Sequence, residues 1–164
     1  MLKTLLISTA IFAISTPASA AIFVKIPGVP GDVQAQTSKG SHSATGFSFA
    51  MSQPSGSATG QSRRRGSVNL DDLTFTKAVT AASPRLAEAA AKGQVFPTIT
   101  IENTRQGKVV YSIKLENVRI NGLQQESNGE WPVEYVTLSY SKITWTYAGA
   151  GGKTEASWDA STGR

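Results

Sequence analysis

The sequence predicts a mainly β domain on the border of α+β: a compact barrel of two curved antiparallel sheets, one short flanking helix and a long protruding loop. Three observations predict it. Apolar residues recur with a period of two in most of the regular segments, the spacing of a half-buried strand. Two long alternating runs switch phase midway. Only one segment carries the start and stop signals of a helix.

Ile22 to Ile26 reads as a short apolar strand that ends at Pro27-Gly28-Val29-Pro30-Gly31, a turn or loop sequence. Gly46 to Gln53 sets Phe47, Phe49 and Met51 on one face and Ser48, Ala50 and Ser52 on the other. Residues 54–67 are rich in Gly, Ser, Thr and Arg without apolar periodicity, so they read as a long exposed loop. Val68 to Phe75 alternates, with a shift at Asp71-Asp72 that suggests a bulge.

Ser83 suits a helix N-cap, Pro84 the first helical position, and Gly93 the left-handed residue past the end. The intervening nine residues would extend about 13 Å, with Leu86 and Ala90 sharing the packed face. Strands follow at 95–101 and from Val109 onward, where Val109, Tyr111, Ile113 and Leu115 give way to Val118 and Ile120. A second switch separates Val136, Leu138 and Tyr140 from Ile143, Trp145 and Tyr147. Each switch needs one extra residue. The 15 residues from Val133 to Tyr147 would reach about 50 Å if straight, so the strand must curl. Gly149 to Gly152 turns the chain into a last strand, 154–160, with Trp158 inward.

Composition excludes several classes of function. The 164 residues contain no cysteine and one histidine, which removes disulfides, thiolate metal sites, cysteine nucleophiles and the usual zinc sites. No cofactor or metal is expected. No phosphate loop, dinucleotide fingerprint or nucleophile elbow occurs. His42, between Ser41 and Ser43, reads as a solvated loop residue without a nucleophile beside it, so a hydrolase lacks its base pair. Asp71 and Asp72 are strand neighbours and point to opposite faces. The net charge of +5 is modest, and a run of three arginines is shorter than a usual basic tract, so nucleic acid is not an expected partner. Trp131, Tyr135, Tyr140, Trp145, Tyr147 and Trp158 read mainly as core.

Met1 to Ala20 has a lysine, an apolar run from Leu5 to Ile14 and the triplet Ala18-Ser19-Ala20. These are the three parts of a secretory signal peptide. Residues 1–20 are therefore read as a leader and 21–164 as the domain, secreted or periplasmic and without a membrane span.

Several blocks in order resemble the haemolysin-coregulated protein (Hcp) family of type VI secretion. They are Phe23-Val24-Lys25-Ile26, Phe47 to Gln53, Val68 to Lys77, Ser83-Pro84-Arg85-Leu86, Gly93 to Pro97 and Glu134 to Tyr140. Ser157-Trp158-Asp159 is similar to the family's closing Gly-Trp-Asp, with Ser for Gly. The resemblance runs from Ile22 to about Thr162. It implies a non-enzymatic protein that partners itself, as hexameric rings stacked into a hollow tube, together with secretion-machine components and small effector proteins. It also implies that the loop at 54–67 touches neighbouring subunits, which makes Gln53, Gln61, Arg63, Arg64 and Arg65 the contact candidates. Members are normally made without a leader, reaching the outside from the cytoplasm by type VI secretion. The leader therefore leaves a second expectation: an exported Hcp-like binding module outside any tube.

Overall fold

A computed structural model describes residues 20–53 and 68–163. Strands in chain order are β1 (Ala20–Lys25), β2 (His42–Ala44), β3 (Gly46–Ser48), β4 (Met51–Ser52), β5 (Asn69–Leu70), β6 (Leu73–Ala78), β7 (Val95–Arg105), β8 (Lys108–Glu126), β9 (Val133–Ser139), β10 (Lys142–Gly149) and β11 (Gly152–Asp159). The helix α1 (Ser83–Ala91) lies between β6 and β7. All pairing is antiparallel, in a nine-stranded sheet and a two-stranded sheet formed by β4 and β5.

The two expected phase switches are one corner. In β8, Asn117 takes a positive φ of 54°, and Leu115 and Val118 both turn inward. Opposite it, Tyr140 and Ser141 separate β9 from β10, and Ser141 N donates to Glu116 O at 3.1 Å. Both β9 and β10 pair with β8, so the run from 133 to 149 follows one partner around the bend. On its other side β9 pairs with β6, whereas β10 pairs with β11. Bending two paired strands at one point folds a single sheet into two packed layers.

The expected closed barrel needs correction. The hydrogen-bonded path runs β2-β1-β7-β8-β9-β6-β3 and is not closed by any ladder between its ends. Those ends are consecutive in the chain, separated by Thr45 alone, whose N–H bonds to Thr76 O at 2.8 Å. The curl expected of long bulged strands is present, but among the described residues no ladder completes it.

The interior is filled by one apolar cluster, including Val24, Phe75, Leu86, Phe96, Ile101, Ile113, Leu138 and Ile143. Burying each such side chain contributes about 1.5–3 kcal/mol, which holds α1 against the sheet although nine residues are too few for an independent helix. Leu86 and Ala89 supply its buried face, and Gly93 ends it at φ +62°. Ser83 does not cap it: the cap position is Ala82, and the Ser83 hydroxyl is committed elsewhere.

Two further readings are overturned. His42 is not solvated. It is a fully buried residue of β2, because the loop from Val29 to Ser41 folds over it. Gly31 N bonds to Gly40 O at 2.8 Å, and a Cβ at Gly31 would collide with the Ser41 carbonyl. Trp131 and Tyr147 are exposed, not core, whereas Trp145 and Trp158 pack partly against the cluster.

Candidate assembly surface

The segment expected to make contacts is flanked in the chain by the two strands of an arm. Residues 46–48 pair with 74–76 in β3–β6, and Met51-Ser52 pair with Asn69-Leu70 in β4–β5. Asp71 N bonds to Ala50 O at 3.0 Å across the break at Asp71-Asp72, so the two ladders form one ribbon. Gln53 follows β4 and is exposed. Gln61, Arg63, Arg64 and Arg65 lie outside the described residues. Asp72 Oδ2 accepts from Asn121 Nδ2 at 2.7 Å, and Tyr140 OH donates to Asp71 O at 3.0 Å, which anchors the ribbon at its break. Burial, with added repulsion from Asp72 and Asp71, pushes the Tyr140 pKa up to about 12, so it remains a donor at any physiological pH.

At the other end of β6 sits a buried ionic knot. Lys77 and Glu134 face each other in the β6–β9 ladder, with side chains fully buried and Nζ 2.5 Å from Oε1. Lys77 Nζ also reaches Ala78 O at 2.8 Å, Thr80 Oγ1 at 3.2 Å and Ser83 Oγ at 3.3 Å. Ser83 Oγ donates to Glu134 Oε1 at 2.8 Å, and Gln125 Nε2 donates to Oε2 at 3.0 Å. Burial pushes the Glu134 carboxyl up, but hydrogen bonds from Lys77, Gln125 and Ser83, with the Lys77 charge, hold it below its ordinary value. The knot ties β6, β9, the end of β8 and the start of α1 together.

His42 lies under the Val29–Ser41 loop. Its Nε2–H donates to Val29 O at 2.9 Å, while Nδ1 has no partner among the described residues. Burial pushes its pKa below the ordinary value and Lys77 adds to this; the Val29 bond, Asp32 and Glu134 act the other way without overcoming it. The imidazole is kept neutral by burial and held in place by a carbonyl, and among the described residues no serine or carboxylate bonds to it.

The solvent faces differ in character. Across β1, β7, β8, β10 and β11 the outward positions carry opposite charges: Lys25–Glu102 at 2.8 Å, Lys114–Glu116 at 3.0 Å, Lys142–Glu116 at 3.9 Å and Lys153–Glu155 at 3.1 Å. Across β6 and β9 they are neutral, including Thr74 and Thr137, whose hydroxyls are 3.0 Å apart, and Tyr135. The strand β11 pairs only with β10, so among the described residues its outer edge is open, with Lys153 and Glu155 as charges that blunt it.

Among the described residues no cluster of His, Asp and Glu is placed to hold a metal, and no helix is long and apolar enough to cross a membrane. The geometry offers surfaces for other macromolecules: a charged face, a neutral face, an open strand edge and a ribbon arm.

The family described as "Type VI secretion system effector, Hcp" matches residues 23–147. No curated protein matches the sequence. Solved structures share the fold. A protein described as a type six secretion system protein aligns with TM-score 0.80 at 24% identity, over 89% of this chain and 99% of its own. Hcp1 of Salmonella typhimurium aligns with TM-score 0.75 at 19% identity, over 87% and 96%. A type VI secretion system effector of Yersinia pestis aligns with TM-score 0.72 at 19% identity, over 84% and 98%.

Proposed function

The chain belongs to the Hcp family of type VI secretion, and from that premise we propose that it is a structural ring-forming protein whose hexamers stack into a hollow tube able to carry small effector proteins. The observation that carries this reading is the family match from residue 23 to 147, which takes in the arm, the helix and both layers of the corner. Its partners are copies of itself, the secretion machine and effectors, and it needs no cofactor or catalytic step. The ribbon arm and the open edge of β11 supply the kinds of surface that copies of one chain use on each other. Contacts at Gln53, Gln61 and Arg63 to Arg65 fix register and specificity.

Sedimentation velocity with electron microscopy tests it. The purified protein is expected to run as rings, and a single-copy species over a wide range of concentration would overturn the reading.

A second reading is favoured by one observation, the signal-peptide pattern in Met1 to Ala20. A working leader delivers the protein to the periplasm, where it acts as an exported Hcp-like binding module outside any tube. Cleavage after Ala20 leaves the β1 pairs from Ala21↔Thr104 to Lys25↔Thr100 in place. Mass spectrometry of the native N-terminus separates the two. A start at Ala21 in periplasmic extract favours the module, and an intact Met1 in the cytosol favours the tube.

A further inference from the structure

We propose, resting on the ring-and-tube reading, that the groove beside Trp131 receives the Arg63-Arg64-Arg65 tract of a second copy, head to tail. Trp131 is 73% exposed, the most exposed of the large apolar side chains described. It is nevertheless fixed, because its indole Nε1–H donates to Val79 O at 2.9 Å. A large aromatic held rigid in solvent is a typical interaction anchor. Beside it Glu126, Glu130 and Tyr135 line a cleft of about 610 Å³. No ion pair among the described residues engages Glu126 or Glu130. Two carboxylates without a cation, of which Glu126 accepts one hydrogen bond from Gln124 Nε2 at 2.7 Å, lie next to aromatic planes and match a guanidinium, which pairs with carboxylate in a flat fork and stacks on indole.

The charge distribution identifies the occupant. Five of the 16 basic residues, namely Lys3, Arg63, Arg64, Arg65 and Arg164, fall outside the described residues, and none of the 11 acidic residues does. The described residues thus carry equal numbers of basic and acidic side chains, and the largest local excess of positive charge in the sequence is the arginine tract. Six lysines of the body are already paired with glutamates.

Covalent reach makes the contact intermolecular. The tract joins the ribbon at Val68, whereas the groove lies at its far end, where Ala78 pairs with Val133 and Val79 N bonds to Pro132 O at 2.9 Å. The ribbon from Val68 to Val79 spans about 30 Å. Arg63 precedes Val68 by five residues, so its Cα stays within about 18 Å of it. Even fully extended, and with about 7 Å of side chain added, the guanidinium of Arg63 would end about 25 Å from Val68, short of the level of Ala78 and Val133. A knob at one end and a socket at the other make a heterologous contact, which propagates as a ring or stack.

Charge reversal tests this. In low salt, Glu126→Lys/Glu130→Lys and, separately, Arg63→Glu/Arg64→Glu/Arg65→Glu are each expected to raise the concentration for assembly at least tenfold, with circular dichroism unchanged. An equimolar mixture of the two is expected to assemble as the wild type does, since each reversed groove then meets a reversed tract. If a reversed chain fails to fold, Trp131→Ala and Glu126→Gln/Glu130→Gln are expected to weaken assembly in its place. Normal assembly of the groove variants, failure of the mixture, or rescue of the tract variant by Asp71→Lys/Asp72→Lys would overturn the proposal while leaving the ring reading intact. A wild-type protein that never assembles would overturn both.

Discussion

The β6–β9 ladder runs from an apolar end to an ionic one without leaving the interior. Leu73 faces Leu138 and Phe75 faces Val136; two residues on, Lys77 faces Glu134, and all six side chains are fully buried. The apolar pairs gain free energy from every methylene removed from water. The ionic pair has to offset two desolvated charges, which it does through hydrogen bonds to both carboxylate oxygens and four contacts around the ammonium. Burial is equal at the two ends. The difference lies in dependence on partners: an apolar residue tolerates a changed neighbour, whereas each ion here requires the other.

The largest expected effect breaks that dependence. Glu134→Leu leaves a buried ammonium unpaired and is expected to cost about 3–5 kcal/mol by urea denaturation. Phe75→Ala, at the apolar end, is expected to cost a similar 3–5 kcal/mol through a cavity. The two ends part company on repair. Lys77→Met combined with Glu134→Leu is expected to return to within about 1 kcal/mol of the wild type or to exceed it. A single Glu134→Leu cost below about 0.5 kcal/mol, the scale of a surface change, would show that the ion pair is solvated.

An intermediate effect is read from pH. His42 and Glu134 both have pKa values lowered by the fold, so the unfolded chain binds more protons than the folded one as pH falls. Stability from each group is complete above its ordinary value and is lost as pH drops towards its folded value. The loss begins below about 6.5 for His42 and below about 4.5 for Glu134. Each pKa unit of displacement corresponds to about 1.4 kcal/mol. His42→Gln is expected to flatten the upper limb of the stability–pH curve and Glu134→Gln the lower. An upper limb that survives His42→Gln would assign it to another group.

The apolar end was legible in the sequence and the ionic end was not. Alternation gave β6, β7 and the β8 corner, because large side chains at every second position leave a strand little choice of face. Lys77 is in phase with Leu73 and Phe75, and Glu134 with Val136 and Leu138, which is the available signal for a buried pair. It is weak in one strand and becomes strong only once the register is known. His42 escaped because β2 has three residues, too few to show a period, and polar neighbours disguise it. Trp131 escaped because apolar character alone does not say which side of a turn a ring occupies. Of the contact candidates, Gln53 is exposed, and the arginine tract stands out as a charge run in sequence alone.

The smallest expected effect comes from the same chemistry in a wetter place. Lys25–Glu102 is the same pair of residue types as Lys77–Glu134, at 2.8 Å against 2.5 Å, but the Lys25 side chain is 43% exposed. Water already solvates that ammonium, so Glu102→Ala strands no charge in a dry interior, whereas Lys25→Ala leaves a Glu102 carboxylate that is 13% exposed. A double-mutant cycle with alanine at both positions is expected to give a coupling of about 0.2–1 kcal/mol, against several kcal/mol for the buried pair. Raising the salt from 0.1 to 1 M shortens the screening length from about 10 to 3 Å, so the exposed coupling is expected to shrink and the buried one to persist. Equal couplings, or equal salt sensitivity, would mean that ion separation rather than water access sets the strength of these contacts.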